Sequence, residues 1–93
     1  MNDIIRELSL IGILPVLRID REEDALPIGK ALSRGGIPCV EVTFRTPAAR
    51  GSIARIAKEC PDVLVGAGTV LTTGQVDDAV AEGAKFIVTP GLN

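Results

Sequence analysis

Residues 31–43 read ALSRGGIPCVEVT, and residues 79–90 read AVAEGAKFIVTP. Laid over one another, the two segments match Gly35 with Gly83, Val40 with Val88 and Glu41 with Thr89, an offset of 83 − 35 = 48 positions. Each carries the end of a helical stripe, then glycine, then an apolar run of strand composition. The same unit therefore occurs at least twice in the chain, and its spacing decides the architecture.

Working outward from that echo, GILPVLRI (12–19) is a short apolar run, and Asp20 to Gly35 carries Ala25, Ile28, Gly29 and Leu32 at helical spacing. Pro27 would cost about 3 kcal/mol inside that helix, so the spacing predicts a start near Ala25. IPCVEV (37–42) is a second strand, after which Thr46 suits an N-cap, Pro47 the first helical position, and Ala49, Ile53, Ile56 and Cys60 line one face. VLVGAG (63–68) is a third strand. Thr72 and Gln75 then have the capping-box spacing, with Val76, Ala79, Val80 and Gly83 along one stripe. KFIVTPG (85–91) is the fourth strand, and NDIIRELSL (2–10) is a short leading helix.

Strands that are apolar on both faces and alternate with helices call for a parallel sheet and right-handed crossovers, the α/β class. A repeat of two βα units is expected of a (β/α)₈ barrel, in which odd and even strands fill alternate core layers. A complete barrel of this kind runs to about 250 residues. The 93 residues are accordingly read as a single partial domain, 1–93. It comprises a leading helix and four parallel strands with three intervening helices, about half a barrel. Its sheet edges and inner face would need covering by association.

Ten basic and twelve acidic residues, without long runs of either sign, provide no footprint for nucleic acid or an anionic membrane. The longest apolar stretch, LIGILPVL (10–17), is far below the roughly 18–20 residues of a membrane span, and a cytoplasmic location is expected. Cys39 and Cys60 make neither a disulfide framework nor a metal-ligand spacing and are read as reduced packing residues. With no histidine, a transition-metal site is not expected.

Chemistry in a parallel barrel sits where strands give way to loops at their C-terminal ends. Those positions are Arg18; Glu41, Thr43 and Arg45; Gly66, Gly68 and Thr69; and Thr89, Pro90 and Asn93. Glu41, an acid among valines, reads as a general acid/base whose pKa burial displaces. It reads equally as a buried carboxylate paired with Arg45 or Arg18 to hold the barrel mouth. Arg45 could clamp a carboxylate or phosphate through its planar fork, or be solvated. GAGTV (66–70) could present amides and the Thr69 hydroxyl to an anion, or be a tight turn that needs glycine for its backbone. It completes neither the dinucleotide fingerprint nor a P-loop.

In order along the chain, PVLR (15–18), GGI-x-x-VEVTFRTP (35–47), VGAGTVL (65–71) and FIVTPGLN (86–93) resemble the N-terminal half of the 2-keto-3-deoxy-6-phosphogluconate / 4-hydroxy-2-oxoglutarate aldolases. The resemblance implies a homotrimeric (β/α)₈ class I aldolase that needs no metal or other cofactor. It cleaves a keto-acid substrate to pyruvate and an aldehyde through a lysine Schiff base. By motif, Glu41 would be the general acid/base, Arg45 and Thr69 would bind the substrate carboxylate, and Pro90 would wall the site. The family's Schiff-base lysine lies on the sixth strand; Lys30 and Lys58 fall on helices here, and Lys85 opens the fourth strand on the face opposite the site. The 93 residues alone are thus expected to be inactive. Two other readings are a non-catalytic half-barrel that self-associates through its edges and an open-sheet phosphate-binding domain built on the GAGT turn.

Overall fold

A computed structural model describes residues 12–89 of the chain. Strand β1 (Val16–Leu17) leads through a 3-10 turn (Glu22–Asp24) into helix α1 (Ala25–Arg34). Then follow β2 (Cys39–Thr43), α2 (Ala49–Glu59), β3 (Leu64–Gly68) and α3 (Thr73–Ala81). The strands form one parallel sheet in the order β1-β2-β3. Helix α1 begins at Ala25 as Pro27 requires: the ring sits in the first turn, where the missing N–H has no intrahelical acceptor to lose. The leading helix expected over 2–10 lies outside the described residues.

Each strand–helix unit buries its apolar side as the pattern predicts. Val40, Val42, Val65 and Ala67 from one face of the sheet share a core with Ala25, Ala49, Ile53, Ile56 and Ala79 from the three helices. Ile53 and Ile56 are fully buried, each worth roughly 1.5–3 kcal/mol over an exposed side chain. On α3 the stripe holds at Ala79, but Val80 is 58% exposed, so the apolar face of that helix is narrower than its sequence predicts. Among the described residues no helix is long and apolar enough to cross a membrane.

The expected fourth strand is present only as an extended segment. Ile87 makes one parallel bridge to Ala67, supported by backbone bonds from Lys85 to Val65 (2.8 Å), Ala67 to Phe86 (3.0 Å) and Val88 to Ala67 (2.8 Å). The sheet therefore has three strands among the described residues, with a fourth segment at its β3 edge.

The internal repeat also needs correcting by one residue. Helix α1 ends with Ile37 N–H on the Leu32 carbonyl and Gly36 at φ 75°; α3 ends with Ala84 N–H on the Ala79 carbonyl and Gly83 at φ 101°. These are the same left-handed helix stop, so Gly83 corresponds to Gly36 and not to Gly35. The offset is 83 − 36 = 47. It pairs Val40 with Ile87, both on the helix side of the sheet, where matching at 48 would have set Val40 against the oppositely directed Val88.

Thr46 does not cap α2. The N-cap is Ala48, without a side-chain bond, and the Thr46 hydroxyl instead donates to the Ile19 carbonyl, tying the loop after β2 to the loop after β1. Thr72 does cap α3, accepting from Gln75 N–H at 3.1 Å, while Gln75 Oε1 accepts from Leu71 N–H at 2.7 Å.

Candidate functional site

Because Val40 and Val42 face the helices, Cys39, Glu41 and Thr43 project from the other face of β2. The parallel register sets Glu41 beside Gly66 and Thr43 beside Gly68, so the C-terminal ends of β2 and β3 lie together. Phe44 N–H donates to the Gly68 carbonyl at 2.8 Å and carries the pairing one residue past the end of β2.

Glu41 is 7% exposed. Neither arginine proposed as its partner reaches it. Arg18 Nε bonds Asp20 Oδ1 at 2.9 Å in an exposed pair, and Arg45 Nε lies 3.5 Å from Thr69 Oγ1. The reading of Glu41 as half of a buried ion pair is therefore corrected: among the described residues no cation pairs with it. Burial alone raises its pKa above the ordinary carboxylate value, because the charged form is desolvated without compensation. A shift in this direction brings a carboxyl toward the range in which it can both give and take a proton.

The two glycines of GAGT owe their place to what lies above them. A methyl at Gly66 would overlap the Phe86 ring, and one at Gly68 would overlap the Glu41 carboxylate. Neither glycine has a positive φ, whereas Thr69, a β-branched residue, does (φ 54°). The tight-turn explanation of the glycines is thus replaced by one of side-chain clearance, and the left-handed turn falls on the threonine. Holding Thr69 there costs of order 1–3 kcal/mol and directs its hydroxyl toward Arg45. Helix α3 starts only at Thr73, so the turn does not open a helix N-terminus as an anion cradle would.

The expected site residues thus divide. Arg45 and Thr69 come together just past the adjoining ends of β2 and β3, and the Glu41 carboxylate lies over Gly68, the residue before Thr69, while Pro90 and Asn93 lie outside the described residues. Lys30 on α1, Lys58 on α2 and Lys85 ahead of the fourth segment are all exposed. Buried Cys39 and Cys60 are free thiols; Cys39 Sγ donates to the Ile13 carbonyl at 2.9 Å, and burial raises both thiol pKa values. A cleft on the helical side, lined by Leu26, Ala54, Arg55, Lys58 and Glu59, shares no residue with these strand ends. Reading the strand ends from sequence did not assign roles to Gly68 or Thr43. The alternation Glu41-x-Thr43 against Gly66-x-Gly68 was the available signal, legible only once the register is known.

A family model described as "KDPG and KHG aldolase" matches residues 3–93. The 2-dehydro-3-deoxy-phosphogluconate aldolase of Treponema pallidum is 52% identical over 93 residues, all of this chain and 44% of that protein. Among solved structures, the KDPG aldolase of Legionella pneumophila, with pyruvate captured as a covalent carbinolamine, superposes with a TM-score of 0.81 at 49% identity. That match covers 86% of this chain and 39% of the other. The 2-keto-3-deoxy-6-phosphogluconate aldolase of Zymomonas mobilis with 3-phosphoglycerate also reaches 0.81, at 45% identity, over 86% of this chain and 38% of its own. The chain thus spans less than half the length of the relatives it matches.

Proposed function

As the chain belongs to the KDPG and KHG aldolase family, we propose that it carries the proton-shuttle and carboxylate-binding half of a Schiff-base aldolase site. The substrates are 2-keto-3-deoxy-6-phosphogluconate, cleaved to pyruvate and glyceraldehyde 3-phosphate, and 4-hydroxy-2-oxoglutarate, cleaved to pyruvate and glyoxylate. The observation that carries this reading is a buried Glu41 without a cation, beside an Arg45–Thr69 pair that has no carboxylate of its own among the described residues.

The Arg45 guanidinium and the Thr69 hydroxyl hold the carboxylate of the keto acid, which sets its carbonyl carbon at a fixed distance from Glu41. Glu41, whose burial favours the protonated form relative to an ordinary carboxylate, delivers a proton to the oxygen that leaves as water when the carbinolamine collapses. The resulting carboxylate then accepts the proton released on cleavage. Pro90 walls the pocket. None of Lys30, Lys58 and Lys85 is the nucleophile, and the 93 residues alone do not catalyse cleavage; the working assembly is the homotrimer that the family resemblance implies.

Pyruvate titration of the chain tests the carboxylate site. Arg45→Ala abolishes binding, and unchanged affinity in that variant would reject the assignment. Borohydride reduction with pyruvate yields no adduct at Lys30, Lys58 or Lys85, and an adduct mapped to any of them would overturn the inactivity. A second reading, a half-barrel that pairs with another copy, draws on Val16 (58% exposed) and Val88 (39% exposed), which are directed away from the helices. It predicts a dimer by sedimentation that pyruvate does not bind.

A further inference from the structure

Ile87 bridges to Ala67 and packs on the helical side, so Phe86 takes the opposite face of the sheet, beside Gly66. Gly66 is itself the register partner of Glu41. Glu41, Gly66 and Phe86 therefore form one row across three neighbouring segments, with no side chain at its centre. The Phe86 ring fills that gap: its Cδ2, Cε2 and Cζ atoms crowd the point where a Gly66 Cβ would stand. Adjacent strands are about 4.8 Å apart, which brings the edge of the ring against the stem of Glu41. Phe86 is 8% exposed yet stands apart from the helix-side core, so its burial belongs to this row.

The next row toward the strand ends is Thr43 and Gly68, and there the gap is filled by the Glu41 carboxylate. An acid registered beside one glycine thus reaches forward to lie over the next, because the space beside its own partner is already taken. We propose that Phe86 is a positioning residue for Glu41: its ring, admitted by Gly66, keeps the carboxyl from folding back over its own register partner and holds it dry and forward, toward Arg45 and Thr69. On the aldolase reading above, on which this rests, the ring keeps the proton-shuttling group beside the bound keto acid.

Among the described residues no charge on the surrounding elements competes with this effect. On β1, Val16 stands in register with Glu41, and Arg18 beyond it is committed to Asp20. On the same face of β2, burial raises the pKa of Cys39, whose thiol donates to the Ile13 carbonyl, and past the strand Arg45 turns to Thr69. β3 contributes glycines, and the fourth segment contributes Phe86 and Val88.

The test is a carbon-detected NMR titration of the Glu41 carboxyl in the wild-type chain, Phe86→Leu and Phe86→Ala, with pyruvate binding measured on each. Phe86→Ala empties the gap over Gly66, admits water beside the acid and lowers the Glu41 midpoint by roughly 0.5–1 pH unit, a 3–10-fold loss of proton affinity. Phe86→Leu, which keeps an apolar group over the glycine, holds the midpoint near the wild-type value. Should the alanine variant fail to fold, nuclear Overhauser contacts between the Phe86 ring protons and the Glu41 methylenes of the wild-type chain decide the matter; they are expected, and their absence overturns the proposal. A midpoint unmoved by Phe86→Ala, whatever the loss in unfolding temperature, would reduce Phe86 to core filler and overturn it. An equal fall in Phe86→Leu would assign the effect to loosening of the segment and overturn it likewise. A midpoint that falls in Phe86→Ala alone, while no form binds pyruvate, would support the placement of the ring and overturn the aldolase reading.

Discussion

Gly68→Ala is the substitution that interrogates the site most directly. An alanine Cβ there would stand 2.5 Å from Glu41 Cδ and 2.8 Å from Cγ, and nearer still to Oε2. Carbon atoms in ordinary contact are about 3.5–4.0 Å apart, so the carboxylate must move by about 1 Å or more. Rotating Glu41 away from its present conformation costs about 0.5–1.5 kcal/mol, and if the neighbouring strands hold it the overpacking cost rises to about 1–3 kcal/mol. In a chain of 93 residues each kcal/mol is worth roughly 4–8 °C, which places the fall in Tm at about 2–24 °C. The cause is isolated by a double-mutant cycle followed by thermal unfolding. Gly68 does not have a positive φ, so in a Glu41→Ala background the alanine fits. There it stabilises by about 0.4–1 kcal/mol through the unfolded chain. The coupling between the two sites is then at least about 1 kcal/mol. Additivity within about 0.5 kcal/mol would refute the placement of the Glu41 carboxylate over Gly68 and the site built on it.

Two further predictions concern single elements. Because burial raises the folded-state pKa of Glu41 above its unfolded value, its contribution is fully present below the unfolded carboxylate pKa. It is lost as pH rises through the folded value. Urea unfolding across that interval should therefore show wild type losing stability relative to Glu41→Gln with rising pH, and parallel curves would count against an uncompensated carboxyl. Thr72→Ala removes the acceptor for Gln75 N–H and should lower stability by about 0.5–2 kcal/mol with loss of helical signal from α3, whereas Thr46→Ala should leave the start of α2 intact.

The alternation of strands and helices was legible because its determinants are local. Pro27 excludes an earlier start for α1, Thr72 and Gln75 mark the start of α3, and the stripe Ala49, Ile53, Ile56, Cys60 is buried as its spacing predicts. Thr46 misled for a tertiary reason: its hydroxyl had a better acceptor in Ile19, 27 residues away, than in its own helix. Val80, although part of the apolar stripe of α3, is exposed, because periodicity gives a helix face and not what packs on it. The repeat was detectable but mis-registered by one residue, since GG at 35–36 offers two glycines and only backbone conformation distinguishes the one in the left-handed turn.

Residue types and order alone establish that Glu41, Arg45 and Thr69 stand at strand ends, because the end of an apolar run is a one-dimensional property. Whether Glu41 takes an arginine is not such a property, nor is the reason Gly66 and Gly68 lack side chains, nor that the Thr43 hydroxyl has no partner among the described residues. Each depends on which residues the parallel register sets side by side, Glu41 with Gly66 and Thr43 with Gly68. Shifting one strand by a single residue would turn every one of those side chains to the other face. The identities of the candidate site residues are therefore carried by the sequence, and their electrostatic state by the fold.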